Sequence, residues 1–165
     1  MRTFISIALM FLVVSIPLSG FAQTDTICGV IPFKGGKVCY ENVVPAKDLT
    51  ADVLYNNAKV WIANNFGSAK AVIQTDVPNS SLVMKGVIQE DAYVKYDFTL
   101  TLQFRDARYK YTLTDLVYNF STIKTPVEEQ PFMNTCPVKT VLEFDVFFKT
   151  FLKRVESGII TDNNW

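Results

Sequence analysis

The strongest pattern in the chain is an unbroken alternation from Val94 to Arg105. Val94, Tyr96, Phe98, Leu100, Leu102 and Phe104 interleave with Lys95, Asp97, Thr99, Thr101, Gln103 and Arg105. Alternation at period two over this length predicts a strand with one buried face and one wet face. Arg108 to Val117 continues it, with Tyr109, Tyr111 and Leu113 set against Lys110, Thr112 and Thr114. If Asp106-Ala107 closes a two-residue hairpin, Phe104 stands opposite Tyr109, Leu102 opposite Tyr111 and Leu100 opposite Leu113, and Thr101 pairs with Thr112 on the wet side. A slip of one residue would turn every apolar side chain outward, so the agreement of both faces fixes the register. Ala107 is the poor fit, because such turns favour glycine where φ is positive.

Elsewhere the period lengthens to that of a helix. Leu54, Ala58, Trp61, Ile62 and Phe66 follow three-and-four spacing, with Asp52 in the first turn and Gly67 after the end, which predicts a helix over 50–66. A second helix over 140–156 carries the stripe Val141, Phe144, Phe148, Phe151, Leu152 and Val155. Strands are expected at 37–44, 71–76 and 81–89, the last two around the turn Val77-Pro78-Asn79-Ser80. Gly86 interrupts the third of these and marks a bend or the close approach of another group. Residues 118–137 hold Pro126, Glu128-Glu129, Pro131 and Cys136 with no sustained period, and read as a long connection or flap. The element order is β-α-β-β-β-β-α. It predicts an α+β fold in which a single antiparallel sheet buries its one apolar face under two helices.

The first residues follow neither period. Arg2, an apolar run from Phe4 to Leu18 and the small-residue pattern Gly20-Phe21-Ala22 are the marks of a secretory signal cut before Gln23. The run is shorter than the about twenty residues that span a bilayer. The expected layout is a signal peptide at 1–22, a turn-rich leader at 23–36, one α+β domain at 37–157 and a tail at 158–165. The mature chain is expected to be exported, periplasmic or secreted, with no transmembrane segment.

Charge excludes some partners. The chain holds 16 basic and 16 acidic residues, so no overall field draws it to nucleic acid or anionic lipid. In an oxidising compartment Cys28, Cys39 and Cys136 allow at most one internal disulfide. Cys28 with Cys39 closes the shortest loop, around Lys34-Gly35-Gly36-Lys37, and Cys136 is the alternative partner. Burial of any of them as a small hydrophobe is equally open.

The chain has no histidine, which removes the commonest general base and the commonest metal ligand. Ser121 and Lys124 match a Ser-x-x-Lys spacing, but its companion motifs are missing and Pro126 opposes the helix it needs. Glu90-Asp91 and Glu128-Glu129 are carboxylate pairs of the kind that usually serve solvation. Phosphate-loop, zinc and calcium motifs are lacking. No catalytic residue, metal or cofactor is therefore assigned. In a eukaryotic source, Asn79 and Asn119 would be glycosylation acceptors.

Several stretches resemble a family of exported, Bacteroidota-type bacterial domains of unknown function with a TATA-binding-protein-like fold. They are Lys37-Val38-Cys39-Tyr40, residues 54–66, Met84-Lys85-Gly86, and residues 104–111 leading to Thr114-Asp115. The resemblance implies half a saddle, a curved antiparallel sheet backed by two helices. It implies no catalytic residue, and fold alone does not carry function. Family members tend to have Asp-Gly where this chain has Asp106-Ala107.

The expected function is that of a non-enzymatic binding or interaction domain that meets a protein or glycan partner in the cell envelope. Its contact surface is the polar sheet face, represented by Lys95, Thr99, Thr101, Arg105, Lys110 and Thr112, or the 118–137 connection, or both. The alternative is an envelope enzyme whose carboxylates or cysteine are brought together by folding.

Overall fold

The structure is a computed structural model and describes residues 25–161. The signal-like segment with its cut before Gln23 lies outside these residues, as do residues 162–165 of the expected tail. Residues 25–36 of the expected leader are folded. Strands β1 (Asp25–Ile27), β2 (Ile31–Lys34) and β3 (Lys37–Val38) form a small antiparallel sheet in that order. Ile31 and Val38 from this sheet are fully buried in the main core. The strand expected at 37–44 is thus two strands. β3 ends the small sheet, and β4 (Tyr40–Pro45) opens the main one.

The succession then follows the expected order. Helix α1 (Ala51–Phe66) and a single turn, α2 (Ala69–Val72), lead to β5 (Ile73–Val77). After it come β6 (Ser81–Gln89), β7 (Val94–Arg105) and β8 (Arg108–Phe120). The main sheet is antiparallel, ordered β4-β8-β7-β6-β5. Residues 118–137 are not an irregular flap. They complete β8 and form β9 (Ile123–Pro126), a 3-10 turn at Val127–Glu129 and α3 (Pro131–Thr135), after which α4 (Val138–Ile160) closes the domain. α4 extends past the expected boundary at 157.

The β7–β8 register is the one the alternation demands. Leu100 pairs with Leu113, Thr101 with Thr112, Leu102 with Tyr111 and Phe104 with Tyr109. Ala107 takes φ of +62°, and neighbours hold the turn in place of a glycine. Its N–H donates to Leu49 O at 2.8 Å, its carbonyl accepts from Ala46 N at 2.9 Å, and Asp106 Oδ1 accepts from Ala51 N at 2.9 Å. The hairpin tip is thereby tied to the entry of α1.

A bulge sits in β8 where the pairing steps from Asp97/Val117 to Thr99/Thr114, at Asp115 with φ of +53°. The extra residue resets the alternation, so Leu113 and Leu116 both point into the core. β4 runs along one half of the outer edge of β8 and β9 along the other, with the bulge between them.

Both helices pack on the apolar face. Thr50 caps α1, its Oγ1 accepting from Val53 N at 3.3 Å. Leu54, Ala58, Trp61 and Ile62 of α1 are buried, as are Val141, Phe144, Phe148, Phe151, Leu152 and Val155 of α4. Aromatic rings join the layers, with Tyr96 and Phe148 centroids 5.1 Å apart and Phe98 and Phe151 5.2 Å apart. Each such side chain contributes about 1.5–3 kcal/mol on burial. Two glycines mark close approaches. A Cβ at Gly86 would lie 2.6 Å from Phe98 Cζ, and one at Gly158 1.9 Å from Trp61 Cδ1. Asn57 Nδ2 donates to Ile159 O at 3.0 Å and fastens the end of α4 to α1.

The disulfide joins Cys28 to Cys136, not Cys28 to Cys39, and pins the small sheet to the end of α3. Cys39 is a buried free thiol. The shortest loop loses because Cys39 lies at the junction of the two sheets, where its backbone N–H donates to Pro32 O.

Candidate functional site

The helices leave the other face of the main sheet uncovered, and period two alone decides which side chains reach it. Across the strands these residues fall into rows. One row runs Ser81, Gln103, Lys110, Val43, and a second runs Val83, Thr101, Thr112, Glu41. At the hairpin tip Arg105 stands directly opposite Arg108.

The structure places Lys95 and Arg105 exposed and Thr101, Lys110 and Thr112 half-buried, all on this face. Thr99 differs from expectation, being only 9 % exposed. The bulge lies beside it in the β7–β8 pairing, and the Thr99 hydroxyl is among the groups that lower the Asp115 carboxyl. Thr99 is thus part of the support for the face and not part of its accessible surface.

The two ends of the face differ. Away from the tip every acidic group has a partner. Asp97 Oδ1 accepts from Asn119 Nδ2 at 2.8 Å and Oδ2 accepts from Lys124 Nζ at 3.0 Å, while Asp115 takes the Lys37 ammonium. The Lys37 hydrogen bond, with Lys37 charge and the Thr99 hydroxyl, holds the Asp115 carboxyl below its ordinary value of 3.8.

Nearer the tip Glu41 pairs with two lysines. Glu41 Oε2 lies 2.9 Å from Lys110 Nζ, and its Oε1 accepts from Lys34 Nζ at 2.6 Å. Hydrogen bonds from these two lysines lower the Glu41 carboxyl. Arg105 and Arg108 have no ion-pair partner among the described residues. They line a cavity of about 410 Å³ together with Gln103, Lys110, Ser80 and Ser81 and with the apolar or aromatic Val43, Phe104 and Tyr109. Phe104 N donates to Ser80 O at 2.7 Å, so the β5–β6 turn is held against β7 as one wall.

The other sequence candidates have structural roles. Asp91 Oδ1 accepts from the backbone N–H of Tyr93 and Val94, and those bonds lower its carboxyl. Glu90 Oε2 accepts from Tyr96 Oη, and Glu128 Oε1 from Val38 N. Ser121 occupies the turn between β8 and β9 at φ of +56°, Lys124 pairs with Asp97, and Cys136 is in the disulfide. The fold therefore brings Arg105 and Lys110 together and leaves Ser121, Lys124 and the carboxylate pairs apart from them. Sequence reasoning missed Arg108, Ser80 and Ser81 as members of the tip cavity. The Arg105–Arg108 opposition follows directly from the two-residue turn. The serines do not, because their place depends on how β6 meets β7.

Among the described residues no helix is long and apolar enough to cross a membrane, and no group of three or more acidic or cysteine side chains is clustered as a metal site.

The fold recurs in solved structures. A TBP-like protein from Parabacteroides distasonis superposes with a TM-score of 0.59 at 17 % identity, covering 80 % of this chain and 97 % of the other. A DUF4468 family protein from Bacteroides ovatus gives 0.63 at 12 % identity, covering 83 % and 94 %. Residues 40–119 match the family model described as a domain of unknown function (DUF4468) with TBP-like fold. No curated protein matches the sequence.

Proposed function

From a chain whose residues 40–119 belong to the DUF4468 family with TBP-like fold, we infer an exported, non-enzymatic interaction domain that presents the open face of its main sheet to an envelope partner. The observation that carries this reading is the asymmetry of the sheet. α1 and α4 use their apolar stripes on one face, and the described residues leave the other open as a mixed-charge, hydroxyl-bearing platform. Strands hold side chains more firmly than loops do, which suits a contact surface. The folded 118–137 segment lends β9 to the edge of that platform.

Export is supported by the charged, apolar and small-residue pattern of residues 1–22 and by the Cys28–Cys136 disulfide, which is at home in an oxidising compartment. The non-enzymatic reading is supported by the structural bonds that occupy Asp91, Glu90 and Glu128. The test is site-specific photo-crosslinking in the native envelope, with the probe at Thr101 or Thr112 on the open face and at Val60 or Leu142 on the helix side. Adducts from the open-face positions alone support the reading. Adducts from the helix side alone contradict it.

A further inference from the structure

We propose that the cavity at the β7–β8 hairpin tip is an oxyanion site that binds a phosphate-class group carried on a soluble, hydroxyl-rich molecule. The proposal rests on the open face being the contact surface and names the chemistry that one end of it recognises.

Arg105 and Arg108 stand directly opposite each other on neighbouring strands, where Cβ atoms lie about 4.5–5.5 Å apart and like charges oppose folding. A sheet gains nothing for its own stability from that pairing. Balance would need an anion between the guanidiniums, and among the described residues no carboxylate pairs with either. Asp106, the nearest acid in sequence, is turned to the Ala51 N–H. Glu41 is shared by Lys110 and Lys34. The surplus is therefore positive and local, although the whole chain is neutral.

The surroundings suit an oxyanion. Arginine presents a planar fork of donors that matches phosphate or carboxylate oxygens in pairs. Gln103, Ser80 and Ser81 line the same cavity and carry amide and hydroxyl donors for further oxygens. A volume of about 410 Å³ exceeds what one phosphate needs and falls in the range of small-ligand sites, about 300–1,000 Å³. Thr101 and Thr112, one row further along the face, supply hydroxyls for the polar body that carries the charge.

Calorimetric and amide-shift titrations of the purified chain test this, with inorganic phosphate, a hexose phosphate and the unphosphorylated hexose as probes. The expected result is saturable binding of both phosphate probes, tighter for the hexose phosphate, weaker at high salt, and accompanied by shifts at Ser80, Ser81, Arg105 and Arg108. Replacing the pair by Arg105→Gln and Arg108→Gln should weaken binding at least tenfold while leaving the thermal midpoint unchanged or raised. Lys139→Gln, on the outer side of α4, should change nothing. The proposal is overturned if no phosphate probe saturates, if the double variant binds as well as wild type, or if the chain binds only anionic phospholipid vesicles and neither soluble probe. Open-face crosslinks that persist when phosphate binding is absent would leave the interaction reading standing without this site. Loss of both would remove the two together.

Discussion

On β7 the inward residues Phe98, Leu100 and Leu102 are at most 2 % exposed, while the residues between and beyond them, Asp97, Thr101 and Gln103, lie on the open face. The same strand thus makes two surfaces of opposite character. The inner one is stabilised by contact, so its tolerance is set by volume. On the outer one the charges are matched at the Asp97–Lys124 and Asp115–Lys37 end and again where Glu41 meets Lys110 and Lys34. At the hairpin tip Arg105 and Arg108 are unmatched. The inner face explains why the chain folds, and the unmatched end of the outer face is where we place the proposed contact.

The largest expected effect is on the inner face. Trp61→Ala or Phe148→Ala should cost about 3–5 kcal/mol, read from denaturant midpoints, because Trp61 packs against Phe66 and Phe151 and Phe148 is fully buried. Midpoints close to wild type would mean that the helices do not pack as described. Gly158→Ala adds a single methyl at 1.9 Å from the Trp61 ring and should cost about 1–3 kcal/mol through overpacking, although alanine is the better helix former. A gain in stability there would place Trp61 elsewhere.

Smaller effects fall at the outer face and its turn. Ala107→Gly relieves a left-handed backbone at the hairpin tip and should raise stability by a net of about 0.5–1 kcal/mol, since the strain removed exceeds the added freedom of the unfolded chain. The matched end should be acid-sensitive. Asp115 is held below its ordinary value chiefly by the Lys37 hydrogen bond, so its contribution is complete above about pH 3.8. It is lost as pH falls below that value through the depressed folded one. Asp115→Asn should therefore narrow the stability difference between neutral and strongly acidic solution. An unchanged difference would mean that the Lys37 pair contributes nothing.

What the sequence could reveal divides along the same line. The hairpin register, the faces of α1 and α4 and the order of the main elements were legible because each depends on a local period with a burial requirement. The bulge at Asp115 was not, because Leu113 and Leu116 keep their burial by breaking the period. Gly86 was legible as a bulge, a bend or a close approach, with curvature the favoured meaning, and the structure shows the close approach of Phe98. Gly158 was not, since its partner Trp61 lies 97 positions away in sequence. The Cys28–Cys136 bridge was hidden for a similar reason, as loop length favours Cys39 whereas the folded leader carries Cys28 to α3. The candidate site was half legible. Alternation found Arg105 and Lys110 and mistook Thr99 for accessible surface, but Ser80 and Ser81 enter the cavity only through the packing of β6 on β7.

The most direct test of the central claim is the double charge reversal Arg105→Glu with Arg108→Glu, at two exposed side chains without an ion pair among the described residues, measured for partner capture from the native envelope and, in parallel, for unfolding midpoint. The account predicts that capture is lost while the midpoint moves by less than about 1 kcal/mol, because exposed charges contribute little to folding. Capture that survives the reversal but disappears when residues 125–134 are trimmed would contradict it and move the contact to the segment after β8.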